Sequence, residues 1–115
     1  MDKILVVNND LDSMGLLKSW LETKTFLVKI TTNREEVPQL IREFKPAVVM
    51  ADIIQKQVIT DLKDNENSRN IPVLLMSGYT KRQDTFKLKA DDVIEKPFDL
   101  PLLEFKLKQL LKKVG

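Results

Sequence analysis

The chain has 115 residues, 43% of them hydrophobic and 31% charged, and a formal net charge of +2. That suits one globular domain over residues 1–115, with a core that buries roughly two-thirds of the surface the unfolded chain exposes. There is no Cys and no His, which excludes disulfide scaffolds, thiol or Ser/His nucleophile systems and zinc sites of the usual ligand types. The charge is too mild for a nucleic-acid-binding face, and no apolar run approaches the ~18 residues that span a bilayer. The start, "MDKILVV", turns polar too soon for a signal peptide. A cytoplasmic protein with no nucleic-acid or membrane partner is expected.

The first element is "ILVV" (4–7), a continuous apolar run of the kind found in strands covered on both faces, followed by Asn8, Asn9 and Asp10. Met14, Leu17 and Leu21, widened by Leu16 and Trp20, repeat every three to four residues and predict a helix. "FLVKI" (26–30) alternates, as a half-exposed or edge strand does. Asn33 and Glu36 form a weak capping-box pattern before the helical spacing of Val37, Leu40, Ile41 and Phe44. Pro38 would delete a backbone hydrogen bond deep in a helix, so this one should begin close to Glu35. "AVVMA" (47–51) is a second continuous strand, ending at Asp52. A weaker helix over 56–66 rests on Val58, Ile59 and Leu62.

"PVLLM" (72–76) runs into Ser77 and Gly78, and a polar, exposed helix is expected over 80–89 on Phe86 and Leu88. "DVIE" (92–95) leads to Lys96 and Pro97. In the last helix Asp99 can cap, Pro101 is tolerated in the first turn, and Leu100, Leu103, Leu107 and Leu110 form a stripe. Lys106, Lys108, Lys112 and Lys113 gather toward its C-terminal half, which suits the helix dipole and a solvated face. Five strand–helix repeats imply a parallel sheet with helices on both faces and right-handed crossovers.

Ligands of open α/β sheets bind outside the carboxyl ends of the strands, at the switch point in strand order. Those ends carry a carboxylate (Asp52), a hydroxyl (Ser77) and an amine (Lys96). Singly, each has a plainer reading: Asp52 or Ser77 as the cap of a turn, Lys96 as a solvated charge. Jointly they resemble the response-regulator receiver family, the phosphoacceptor modules of two-component signalling. "KILVVNND" is similar to the family's first strand with its acidic pair, "KPAVVMAD" to the third strand ending in the phosphoacceptor, "IPVLLMSG" to the fourth with its Ser/Thr, and "ADDVIEKPF" to the fifth with its lysine and a proline held in cis.

The resemblance covers essentially the whole chain. It implies a flavodoxin-like, doubly wound five-stranded sheet in the order 2-1-3-4-5 with five helices. Asp52 would accept the phosphoryl group, Ser77 would bind it as the switch hydroxyl and Lys96 would contact it or Asp52. A Mg²⁺ would be held by Asn9, Asp52 and the Ile54 carbonyl, with Asn8 and Asp10 as further candidates. The donor would be a histidine kinase or phosphotransfer protein. A downstream protein would dock on residues 80–113, and a homodimer is left open. No enzymatic turnover is expected beyond slow self-dephosphorylation.

These residue types suit the chemistry. A carboxylate can attack a phosphoryl group and form an aspartyl phosphate, and the charge spread over the phosphoryl oxygens calls for cations and donors. Mg²⁺ demands near-octahedral oxygen ligation, hence the family's acidic pair. Here Asn8 and Asn9 stand at those positions. A unit-charge pair near 4 Å is worth on the order of 4 kcal/mol at an effective dielectric of 20, so two missing charges should weaken Mg²⁺ binding by orders of magnitude. Asp10 could compensate, although a side chain there is better placed to cap the following helix.

Three further departures follow. The loop after Asp52 reads "IIQKQVIT", without Pro or Gly; the span from Asp52 to Ser77 is short; and Val93 stands where the family commonly has an aromatic switch residue. Two signalling readings therefore stay open: a receiver that accepts phosphate on Asp52, and a degenerate receiver that works as a phosphorylation-independent interaction module with Lys96 paired to Asp52. A haloacid-dehalogenase-like phosphatase fits less well, because Ile54 occupies the place of its second catalytic aspartate. The sequence is compatible with a stand-alone regulator or a piece of a larger protein.

Overall fold

The protein is described by a computed structural model for residues 1–8, 10–78, 89–97 and 99–112. Five parallel strands, β1 (Asp2–Val7), β2 (Phe26–Thr31), β3 (Val48–Asp52), β4 (Val73–Ser77) and β5 (Asp92–Glu95), form one sheet in the order β2-β1-β3-β4-β5. That is the expected doubly wound order. Four α-helices lie among the described residues, one fewer than expected: α1 (Leu11–Thr23), α2 (Val37–Glu43), α3 (Lys56–Asp64) and α4 (Leu100–Lys112). The helix expected over 80–89 falls almost entirely outside the described residues.

The continuous apolar runs behave as their pattern dictates. Every residue of β3 and β4 is buried, and β2, at the edge, alternates between buried and exposed positions. Alternation along the strands divides the core into two layers. Ile4, Val6, Met50, Leu74 and Met76 pack with Met14, Leu17 and Leu21 of α1 and Leu103, Leu107 and Leu110 of α4. Leu5, Val7, Val49, Ala51 and Leu75 pack on the other face with Val37 of α2 and Val58, Ile59 and Leu62 of α3.

The start of α2 departs from the capping-box expectation. A 3-10 turn over Arg34–Glu36 precedes the helix, so Pro38 falls within its first turn, where its missing N–H does no harm. Asn33 accepts from the Glu35 N–H at 2.9 Å. The Glu36 carboxylate does not return to Asn33; it accepts from the Thr31 hydroxyl at 2.8 Å.

β5 is anchored where it begins. The Asp91 carboxylate accepts from the Val73 N–H at 2.7 Å and from Lys63 Nζ at 2.8 Å. Lys63, expected only as a polar residue of a weak helix, also donates to the Arg69 and Ile71 carbonyls at 3.2 and 3.0 Å. Next to it Asp92 pairs with Lys106 of α4 at 3.1 Å, so the lysine face of α4 is not purely solvated. Asp91→Ala should leave the Val73 N–H without a partner at a part-buried position and cost about 1–2 kcal/mol. A urea unfolding curve with an unchanged midpoint would remove this anchor from the account.

Candidate functional site

The strand order reverses between β1 and β3, and the carboxyl ends of these strands carry the chemistry. Val7 pairs with Ala51, and the same register continued by one residue brings Asn8 level with Asp52. Adjacent strands lie ~4.8 Å apart. Alternation then sends both side chains to the face of Val6 and Met50, the α1/α4 side. On the next strand Asp52 is level with Met76, and Ser77 follows at the strand end. The Lys96 N–H donates to the Ser77 carbonyl at 2.7 Å. Asn8, Asp52 and Ser77 are 3%, 4% and 2% exposed, so three polar side chains are packed into the rim of an apolar sheet.

Both oxygens of Asp52 are engaged. Oδ1 accepts from the Ile54 N–H at 2.9 Å, which makes Asp52 the cap of the 3-10 turn Ile53–Gln55. Oδ2 accepts from Lys96 Nζ in a direct ion pair. The plain capping reading of Asp52 and the paired reading of Lys96 are therefore both realised. A carboxylate this deeply buried is tolerable because it is compensated by a cation and a backbone donor at once. The Lys96–Pro97 peptide is cis, as the resemblance implied.

The residues expected around a metal are arranged differently. At Ile54 the backbone N–H is the group that meets Asp52, and the Ile54 side chain is 74% exposed. The Asn8 oxygen Oδ1 is occupied by the Asp10 N–H at 2.9 Å. That bond fixes the amide orientation and leaves Asn8 Nδ2 buried without a hydrogen-bond partner among the described residues. Asp10 immediately precedes α1 and is exposed. Asn9 lies outside the described residues. Among the described residues no cluster of three or more carboxylate, imidazole or thiolate groups forms. The single buried carboxylate is neutralised by Lys96, and the neighbouring amide offers an N–H. Among the described residues, one paired carboxylate and the exposed Asp10 carboxylate fit a divalent cation poorly, since such an ion wants several free oxygens.

Beside the site a cavity of about 440 Å³ is lined by Asp10, Met14, Leu17, Lys96, Pro97 and Leu100, and by the exposed Leu16. It gives access from solvent to Lys96. Val93, at the position of the expected aromatic, is half-buried against the α2/α3 side of the core. Sequence reasoning missed the orphaned Asn8 donor and the role of Ile54 as a donor. Neither leaves a signal in residue type, since each depends on which atom of a group faces inward. No described helix is long and apolar enough to cross a membrane.

The sequence and the fold have counterparts in known proteins. The transcriptional regulatory protein SrrA of Staphylococcus aureus is 28% identical over 117 residues, covering 97% of this chain and 48% of SrrA. The chain thus spans about half the length of the curated relatives it matches. A receiver domain of a signal transduction histidine kinase from Syntrophus aciditrophicus superposes with a TM-score of 0.91 at 24% identity, covering 100% of this chain and 93% of that one. The N-terminal domain of the nisin resistance regulator NsrR gives 0.81 at 27% identity, covering 96% and 98%. The profile of the response regulator receiver domain matches residues 4–108. With that match on a sheet of the expected order, and with Asp52, Ser77 and Lys96 on its rim, the chain belongs to the response regulator receiver domain family of two-component signalling.

Proposed function

We propose that this receiver accepts a phosphoryl group on Asp52 and signals through the resulting rearrangement of its site. The observation that carries this reading is the buried Asp52 carboxylate, held at the switch point in an ion pair with Lys96 and one strand from Ser77. One carboxylate oxygen attacks the phosphorus, a new O–P bond forms, and the bond to the donor's leaving group breaks with its electron pair going to that group. The Lys96 ammonium then has a doubly charged neighbour in place of a carboxylate and shifts onto a phosphoryl oxygen. The Ser77 hydroxyl donates to a second oxygen, and the Ile54 N–H keeps the remaining carboxyl oxygen in place. Such a local exchange of partners is what a receiver passes on.

The donor is a histidine kinase or phosphotransfer protein, since the chain has no His of its own. The effector meets residues 80–113, either as a separate protein or as a domain of the same polypeptide. The setting is the cytoplasm, and the domain acts as a phosphoacceptor with at most slow self-dephosphorylation.

The competing reading, a phosphorylation-independent interaction module, draws on the same ion pair, because Lys96 already satisfies Asp52 without a ligand. Intact-mass measurement after incubation with acetyl phosphate decides between them. The wild type should gain one phosphoryl group and Asp52→Asn none. No gain in the wild type, from acetyl phosphate or from a phosphorylated kinase, would establish the module.

A further inference from the structure

We infer that the site takes up its phosphoryl oxyanion without a divalent cation, with the buried Asn8 amide as the donor that stands in the cation's place. The inference rests on the reading that Asp52 is the phosphoacceptor. Three observations carry it. Asn8 Nδ2 is a buried N–H donor with no partner among the described residues, and such a group is costly to leave unsatisfied in a folded protein. Its orientation is set by the Asp10 N–H on Oδ1, so what Asn8 has left to offer is the positive end of the amide dipole. The strand register and alternation place it beside Asp52, on the face where Lys96 lines the access cavity.

A cation entering this recess meets the Lys96 ammonium and the Asp10 carboxylate at its wall, and the Asp52 carboxylate is already paired with Lys96. A phosphoryl group carried on Asp52 would meet the same ammonium, the Asn8 N–H and the Ser77 hydroxyl, with the exposed Asp10 carboxylate at the cavity wall as the one group of opposing charge. The unpaired N–H of Nδ2 is thus matched to an oxyanion, as in other sites built from preorganised donors. The step is the one written above: one carboxylate oxygen of Asp52 displaces acetate from acetyl phosphate, and the acetate leaves with the bonding pair. Lys96 and Asn8 Nδ2 each meet a phosphoryl oxygen, and no proton has to be moved. The two charges missing at Asn8 and Asn9 are, on this reading, a change of electrostatic design.

The test compares rates of adduct formation from acetyl phosphate, by intact mass, in excess EDTA and in Mg²⁺. The wild type should react at the same rate in both. Asn8→Asp keeps the acceptor for the Asp10 N–H, removes the donor and adds a negative charge beside Asp52. It should react roughly 10- to 100-fold more slowly in EDTA, the value of one hydrogen bond to a charged group, and should become Mg²⁺-dependent. A wild type that reacts only with Mg²⁺ overturns the inference and leaves Asp52 as phosphoacceptor. If no adduct forms under either condition, nor from a phosphorylated kinase, the functional reading fails, and the anion site is judged separately by NMR. Inorganic phosphate added in EDTA should shift the Asn8 side-chain amide resonances, which are assigned by their loss in Asn8→Asp. An unmoved amide pair overturns the inference on its own.

Discussion

Lys96→Met should destabilise the fold by about 1–3 kcal/mol and slow phosphoryl uptake roughly 10- to 100-fold. The Asp52 side chain is 5% exposed and its only cationic partner among the described residues is Lys96. Methionine keeps much of the stem's packing and removes the charge, so a buried carboxylate is left with the Ile54 N–H alone. Breaking a fully buried pair in this way costs about 3–5 kcal/mol. Lys96 is 35% exposed, and water screening puts the figure below that range. The double variant Lys96→Met/Asp52→Asn should recover most of the loss, since the uncompensated charge is gone. Urea unfolding of the four proteins gives the coupling energy directly. Four midpoints that coincide would mean that the pair holds nothing together.

Leu107→Ala should be the more damaging change to stability, at about 2–5 kcal/mol. Leu107 is fully buried between α4 and the sheet, in the cluster that also holds Leu103, Leu110 and Met76. Close-packed interiors relax only partly around a deleted side chain, so the lost transfer energy and the cavity add. A domain of this size has a total stability of about 5–15 kcal/mol, of which this one residue would take a large fraction. The denaturant midpoint should fall at an unchanged slope. A shift worth less than about 1 kcal/mol would show that α4 packs more loosely than its buried stripe indicates.

The core was readable from the sequence because its signals are strong. Continuous apolar runs marked β1, β3 and β4, alternation marked β2 as an edge, and the leucine stripe marked α4. Pro38 placed the start of α2 to within a residue or two. The turns after α1 and α2 were less visible. Thr25 and Lys45 take positive φ values of 68° and 53°, a conformation usually signalled by Gly or Asn. The capping-box pattern at Asn33 and Glu36 misled because Thr31 competes for the Glu36 carboxylate.

At the site, residue types identified Asp52, Ser77 and Lys96. They could not identify which atoms face inward. The Ile54 N–H donates to Asp52, which caps a 3-10 turn, a bond that residue type does not announce. Asn8 presents an N–H because the Asp10 backbone claims its oxygen. An amide carries both polarities in one side chain, and only its neighbours choose between them.

Asp91 and Asp92 are consecutive, yet they grip opposite layers: Asp91 holds Lys63 of α3, Asp92 holds Lys106 of α4. The sheet otherwise keeps these two helices apart. The pair acts as a rivet through the edge of the molecule, and β5 is the plate it passes through. A displacement of one helical layer against the other would load these two ion pairs and, through them, β5. Lys96 follows directly on the far end of β5, so the four residues of that strand connect the two helical layers to the ion pair at Asp52.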